Sequence, residues 1–341
     1  MKTQDKNNYR GTLFVLSFSL IVLFLISLVL GRYPLSLSEI GRLILSRITD
    51  IEQTWPDSAE AIFFNVRLPR VGLAVLVGAA LSTSGAAYQG MFRNPLVSSD
   101  IVGASSGAAF GAALGILLGA GGSMISMSAF LFSGISVILV YMISRIMRQN
   151  QVLGLVLAGI MIGSIFNAGT SFLKLMADPN DQLPQITFWL MGSLNGKTLS
   201  ELFYAAILIL LGLVPLLGLR WKMNLLTMDE KEAQAMGVAV GPLRLVVIVC
   251  ATLLTATSIA VSGMIGWISL VIPHFSRLLV GSDFRRLLPT SMLMGSCFLL
   301  IVDNISRLTF TAEIPLGILT SLVGAPFYLY LLMSRRTRMN I

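Results

Sequence analysis

Charge is what this sequence has least of. Asp, Glu, Lys and Arg make up 12% of the 341 residues, about half the share that keeps a soluble domain's surface wet, so a soluble globule of this size is excluded. Cysteine is nearly missing too. Cys250 and Cys297 both fall in apolar runs, which fits small buried hydrophobes rather than a disulfide or metal pair. The single histidine, His274, lacks the Cys or carboxylate companions that a metal cage needs. It follows Pro273, and its expected task is to satisfy backbone groups that the proline frees. Carboxylates are nearly absent from the apolar runs, which counts against a proton or ion relay and so against a secondary transporter. A nucleophile with its base, or paired acids near one interface, is also lacking, which counts against a membrane enzyme. Gly192-Ser193-Leu194-Asn195-Gly196-Lys197-Thr198 has three residues where a phosphate-binding loop needs four before its Gly-Lys pair. Any ATP must be handled by another polypeptide.

What is present is apolar sequence. Hydrophobic residues form 55% of the chain, and the mean hydropathy is +0.83. From Thr12 to Gly31 there is no charge at all, a run long enough to cross the hydrocarbon core as a helix. It exceeds a signal peptide's apolar region and no small-x-small cleavage site follows, so it reads as a retained first helix. Further runs predict an all-α polytopic membrane protein with spans near 11–31, 64–89, 98–119, 124–144, 151–173, 199–219, 243–262, 266–280, 287–306 and 314–333. The segment 266–280 is short and holds Pro273, so it reads as a full span or a broken helix, and eight or nine spans remain open beside ten. With the N-terminus inside, 16 of the 24 Lys and Arg face the cytoplasm, as the positive-inside rule favours. Both termini are then cytoplasmic. The chain is one transmembrane domain over 1–341, with an external amphipathic segment at 32–63 and a cytoplasmic segment at 222–242.

Three local patterns stand out. Gly103, Gly107, Gly111, Gly115 and Gly119 recur every fourth residue, which puts them on one helix face where a neighbouring helix can approach closely. Asp303 and Arg307 are four apart and can pair along one helix. The stretch 228–238 is the most charged of the chain; acids open it and Gly237 closes it, as a short helix favours. From composition it is equally a solvated surface helix or a rigid knob that docks on a cytosolic partner.

Ordered motifs then carry a resemblance. They are Arg67-Leu68-Pro69-Arg70, Ser84-Gly85, Gln89-Gly90-Met91-Phe92-Arg93-Asn94-Pro95-Leu96, Gly103-Ala104-Ser105-Ser106-Gly107-Ala108, Leu157-Ala158-Gly159 and Phe188-Trp189-Leu190-Met191-Gly192-Ser193-Leu194. After them come Ala235-Met236-Gly237-Val238, Ile272-Pro273-His274, Arg277-Leu278-Leu279-Val280-Gly281-Ser282-Asp283, and Pro315 with Gly324-Ala325-Pro326-Phe327. Over roughly 12–335 the sequence resembles the FecCD family, permeases of iron-chelate, haem and cobalamin ABC importers. The resemblance implies ten helices per chain, a homodimer with a central translocation pathway, two cytosolic ATPase subunits and a periplasmic or lipid-anchored binding protein, in a bacterial or archaeal inner membrane. It implies no cofactor on this chain, ATP and Mg²⁺ being used by the ATPase, and no nucleic acid.

By the same resemblance Arg67, Arg70 and Arg307 receive acidic residues of the binding protein. Asp229, Glu230, Glu232, Ala233, Ala235, Met236, Gly237 and Val238 form the helix that couples to the ATPase. Asn94, Pro95 and Leu96 match one inner gate, and Gln151, Val152 and Leu153 the other. One departure is Trp267 in Gly266-Trp267-Ile268-Ser269, where Phe is common. Its bulk is compatible with a narrower pathway and a smaller cargo, so an oxyanion such as molybdate or tungstate stands as the alternative to a metal chelate.

Overall fold

The computed structural model describes residues 2–31, 33, 35–49, 53, 55–146, 151–228, 230–310 and 312–339. Among them there is no β-strand. In chain order the helices are α1 (Lys2–Val29), α2 (Leu37–Leu45), α3 (Asp57–Ile62), α4 (Leu68–Met91), α5 (Ala104–Leu117), α6 (Gly122–Ser144), α7 (Gln151–Met176), α8 (Gln182–Met191), α9 (Leu199–Leu226), α10 (Glu230–Ala235), α11 (Val240–Ser262), α12 (Ile268–Val280), α13 (Phe284–Leu308) and α14 (Leu316–Met339). Seven helical stretches are long and apolar enough to cross a membrane. One joins α3 to α4 through a π-helical turn at Phe63–Arg67, giving a continuous helix over Asp57–Met91. Three shorter apolar helices, Ala104–Leu117, Ile268–Val280 and Leu316–Leu329, fall in the remaining three predicted spans.

Helix α4 is the axis of the fold. It is buried along most of its length and packs against α9, α11, α12 and α13, while α5, α6 and α7 form a second cluster joined through α11. Close approach is made possible by glycine. A side chain at Gly78 would collide with the Gly295 carbonyl of α13, and one at Gly85 with the Ser269 carbonyl of α12. The glycine ladder behaves as its spacing predicts at Gly107 and Gly111, where an added carbon would strike the carbonyls of Phe132 and Ser128 on α6. Gly119 departs from that prediction. It lies past the end of α5 at φ +70° with open space beside it, because the helix stops at Leu117 and a left-handed residue turns the chain. Gly111→Val is therefore expected to destabilise the protein by about 1–3 kcal/mol through overpacking against α6, read as a lower unfolding midpoint in detergent. Gly119→Ala leaves that contact untouched.

Outward faces of α1, α6, α7 and α9 expose large apolar side chains such as Phe18, Leu131, Ile165 and Leu210. Such faces suit lipid or a second protein copy, since water would leave them unpaid. Helix α2 is amphipathic, burying Ile40 and Leu43, and opens with a capping box of Ser36 and Glu39. The backbone N–H and hydroxyl of Ser36 hold the Glu39 carboxyl below the usual glutamate range. Arg47 after α2 pairs with Glu60 of α3 at 2.7 Å, which ties α3 back to the end of α2.

The short helix α12 resolves the question left at 266–280. The break precedes it, at Gly263 (φ +67°) and Trp267 (φ +69°), and the helix runs through Pro273. Thirteen residues reach about 20 Å, so α12 alone is shorter than the hydrocarbon core. Pro273 cannot donate to the carbonyl of Ser269, and the sequence assigned that repair to His274. Gln89 reaches that carbonyl from α4: its Nε2 donates to Ser269 O (3.4 Å) and Leu270 O (3.3 Å), and its Oε1 accepts from Arg277 Nη1. Gln89 can do this because Gly85, one turn away, lets α4 lie against α12. His274 stands edge-on to Phe327 of α14.

Candidate functional site

Three arginines that the sequence singled out converge at one end of the bundle. Arg67 and Arg70 lie at the start of α4 and Arg307 at the end of α13, which the antiparallel packing of these helices brings level. Together with Gly31, Tyr33 and Glu313 they line a half-open cavity of about 190 Å³. All three are buried, so each needs acceptors of its own.

Those acceptors differ. Arg67 donates to the carbonyls of Leu28 (2.8 Å), Val29 (2.9 Å) and Tyr33, two of them at the carbonyl-rich C-terminal end of α1 where the helix dipole favours a cation. Gly31 leaves the room: a side chain there would collide with the guanidinium of Arg67. Arg70 donates from Nε to Asp303 Oδ1 at 2.8 Å and from Nη1 to Glu313 Oε1 at 2.8 Å. Arg307 donates to Ser27 O (2.6 Å) and to Asn304 Oδ1, and its Nε lies 3.7 Å from Asp303 Oδ2. The helical pair Asp303–Arg307 is therefore formed as its spacing predicts, and Arg70 shares the same carboxylate. Glu313, Asn304 and Ser27 were missed. Glu313 did leave a signal, as a lone acid in the short segment between two apolar spans; the other two leave none, being ordinary polar residues inside apolar runs.

The other end of the bundle carries α10. Arg93, just past α4, donates to Leu226 O at the end of α9, so the α10 end lies a full α4 length from the arginine cavity. Asp229 lies outside the described residues. Glu230 opens α10, and its side chain is likewise outside them. Ala233 is buried against the bundle and Val238 is packed on the core, whereas Glu232, Ala235, Met236 and Gly237 face outward, Met236 at 60% exposure. The predicted stop holds. Gly237 takes φ +78°, its N–H donates to Gln234 O (2.9 Å), and that of Val238 donates to Ala233 O (3.3 Å), a glycine C-cap. Helix α10 is thus a knob with its inner side fixed and its outer side free.

The gate candidates lie at this same end. Asn94 and Leu96 are exposed and Pro95 half-buried, in a turn where the Leu96 N–H donates to Asn94 Oδ1 (2.9 Å). At the start of α7, Val152 packs against the core and Leu153 is exposed; the side chain of Gln151 is outside the described residues. Leu96 and Leu153 are thus exposed apolar side chains at this end of the bundle. Trp267 sits where Gly324 of α14 has no side chain, with its ring 6.3 Å from Tyr328. Among the described residues no group of three or more His, Cys, Asp or Glu is placed to hold a metal ion.

Residues 19–334 match the model of the FecCD transport family. The chain is similar to the molybdate import system permease protein MolB of Haemophilus influenzae, with 42% identity over 322 residues, 94% of this chain and 95% of that protein. To the hemin transport system permease protein HmuU of Yersinia pestis it is 38% identical over 330 residues, 94% of this chain and 96% of that protein. Among solved structures it superposes on a metal-chelate type ABC transporter in an inward-facing conformation, with a TM-score of 0.84 and 41% identity over 95% of this chain and 99% of that one.

Proposed function

Because this chain belongs to the FecCD transport family, we propose that it is the membrane-spanning subunit of an ATP-driven importer of a metal chelate. In this reading two copies enclose the pathway, with the arginine cavity outside and α10 in the cytoplasm together with both termini. The observation that carries it is the placement of the two surfaces. A cationic cavity built from residues 67, 70 and 307 occupies one end, and a rigid knob with an exposed Met236 occupies the other.

The arginines receive carboxylates of the binding protein, which suits their forked, permanently charged guanidinium groups. ATP and Mg²⁺ are used by the two ATPase subunits, and this chain holds no cofactor. Movement of the ATPase is felt at α10, which is joined to the core through Ala233 and Val238 and so to α9 and α11. Because α11 and α12 both pack on α4, a push on one tilts the group. Such a device needs two packings a few kcal/mol apart, each favoured by a different ligand state. The exposed Leu96 and Leu153 suit a water-excluding constriction at the cytoplasmic end.

A second reading concerns cargo alone. Trp267 fills the space over Gly324, and the relative at 42% identity is named for molybdate import, so an oxyanion importer of the same class is the alternative. Uptake of molybdate against a ferric chelate in vesicles holding the complete importer separates the two. Asp303 is clamped by Arg70 and Arg307, a structural use that leaves it no part in an ion-coupled relay.

The experiment is ATP hydrolysis by this chain with its ATPase in lipid, with and without its binding protein. Arg67→Gln keeps a donor for the carbonyls of α1 while removing the charge. Stimulation by the binding protein is expected to need about tenfold more of it or to vanish, with basal hydrolysis unchanged. Full stimulation at the original concentration would remove Arg67 from the docking surface.

A further inference from the structure

The two carboxylates in the arginine cavity are not equivalent. Asp303 belongs to α13, its side chain is 1% exposed, and it is shared between Arg70 and Arg307. Glu313 belongs to the segment between α13 and α14 and its side chain is 27% exposed. It touches Arg70 through Oε1, and its Oε2, like Asp303 Oδ2, is a buried atom with no hydrogen-bond partner among the described residues. A guanidinium fork favours two parallel bonds to one carboxylate, and a buried acceptor left unbonded is destabilising. The contact is therefore half-made. Counting Arg67, Arg70 and Arg307 against Asp303 and Glu313, the cavity keeps an excess of one positive charge while Glu313 is in place and two once it leaves.

Glu313 is also wired to the elements behind it. Next to it, Ile314 N–H donates to Ser306 O (3.3 Å), Ser306 Oγ donates to Ile314 O (2.6 Å), and Leu316 N–H, at the start of α14, donates to Gly192 O (2.9 Å) just past α8. Gly317 lies so close to Met191 O that a side chain there would collide with it at 2.6 Å.

We propose that Glu313 is a resident carboxylate that occupies Arg70 in the undocked permease and is exchanged for an acidic side chain of the docking protein, so that docking releases segment 312–316 and with it the start of α14. The proposal rests on the arginine cavity being the docking surface. It adds that docking is a substitution in which one carboxylate must leave, and that the departing one carries the signal into the bundle. Glu313 is exchangeable because it is the more exposed of the two and pairs with one arginine rather than two; Asp303 stays, since its loss would leave Arg70 and Arg307 facing each other uncompensated.

The test uses the complete permease–ATPase assembly in nanodiscs and its own binding protein, with dissociation constants measured for wild type, Glu313→Gln, Glu313→Ala and Arg67→Gln. Both Glu313 variants are expected to bind about tenfold tighter, because the competitor is gone and the cavity is more cationic. Arg67→Gln binds more weakly. Hydrogen exchange at the Ile314 and Leu316 amides of the wild type is expected to speed up on docking, even though the docked protein covers that face. Unchanged or weaker binding in the Glu313 variants, with Arg67→Gln still weakened, overturns the exchange and leaves the docking surface standing. If Arg67→Gln binds like wild type, the docking surface itself fails. Should the Glu313 variants not assemble, the wild-type exchange decides: unchanged or slower exchange at the two amides overturns the proposal.

Discussion

Asp303→Ala is expected to cost about 3–5 kcal/mol of stability, the loss typical when one member of a buried ion pair is removed and its partner stays charged. The geometry makes this an extreme case, since one carboxylate serves two guanidinium groups, Arg70 Nε at 2.8 Å and Arg307 Nε at 3.7 Å. Without it, two buried cations from different helices face each other with only the half-made contact of Glu313 between them. The measurement is the unfolding midpoint of the purified permease in detergent. A matched variant sharpens it: Asp303→Leu combined with Arg307→Met removes charge of both signs and is expected to cost less than the two single changes added together. Strict additivity would mean that the residues do not act as a pair. An unchanged midpoint in Asp303→Ala would show that the cluster contributes no net stability, leaving binding as its remaining role.

Met236→Asp is expected to act in the opposite manner, on function with no effect on the fold. Met236 is 60% exposed at the end of α10, so the substitution changes stability by less than about 0.5 kcal/mol. Its side chain is the apolar tip of a knob whose inner side is fixed by Ala233. A charge placed there and buried in a partner's cleft has no counter-ion to meet. Affinity for the ATPase should fall about 100-fold, the weight of an interface hot spot, and ATP-driven uptake should be lost with it. Co-purification of the ATPase with the variant at wild-type yield, and unimpaired uptake, would take α10 out of the coupling path.

Much of this architecture was legible because lipid makes sequence signals local. A helix that must satisfy its own backbone in hydrocarbon announces itself as a continuous apolar run, and each of the ten predicted spans meets a helix in the structure. Helix α10 was equally legible, because its stop is a property of Gly237 itself. Helix α8 was not seen as a helix: its ten residues are too few for a periodic pattern, and Pro184 stands within them. The part of Gln89 at Pro273 went unseen for a related reason. His274 is adjacent in sequence, whereas Gln89 lies far along the chain and still reaches the freed carbonyl.

The arginines divide the same way. The family resemblance grouped Arg67, Arg70 and Arg307, and the spacing of Asp303 and Arg307 let them meet along one helix. Sequence did not determine that all three would be buried, nor that Arg70 would bridge to Asp303 and Glu313, which stand 233 and 243 residues away. Composition, run length and capping fixed the class of protein and its elements, since each depends on neighbours along the chain and on the solvent around it. The charge balance of the cavity, and which carboxylate in it is free to leave, depend on antiparallel helices arriving level with one another. That was decided by the glycine contacts of α4 with α12 and α13, because side-chain electrostatics act across space and only packing sets those distances.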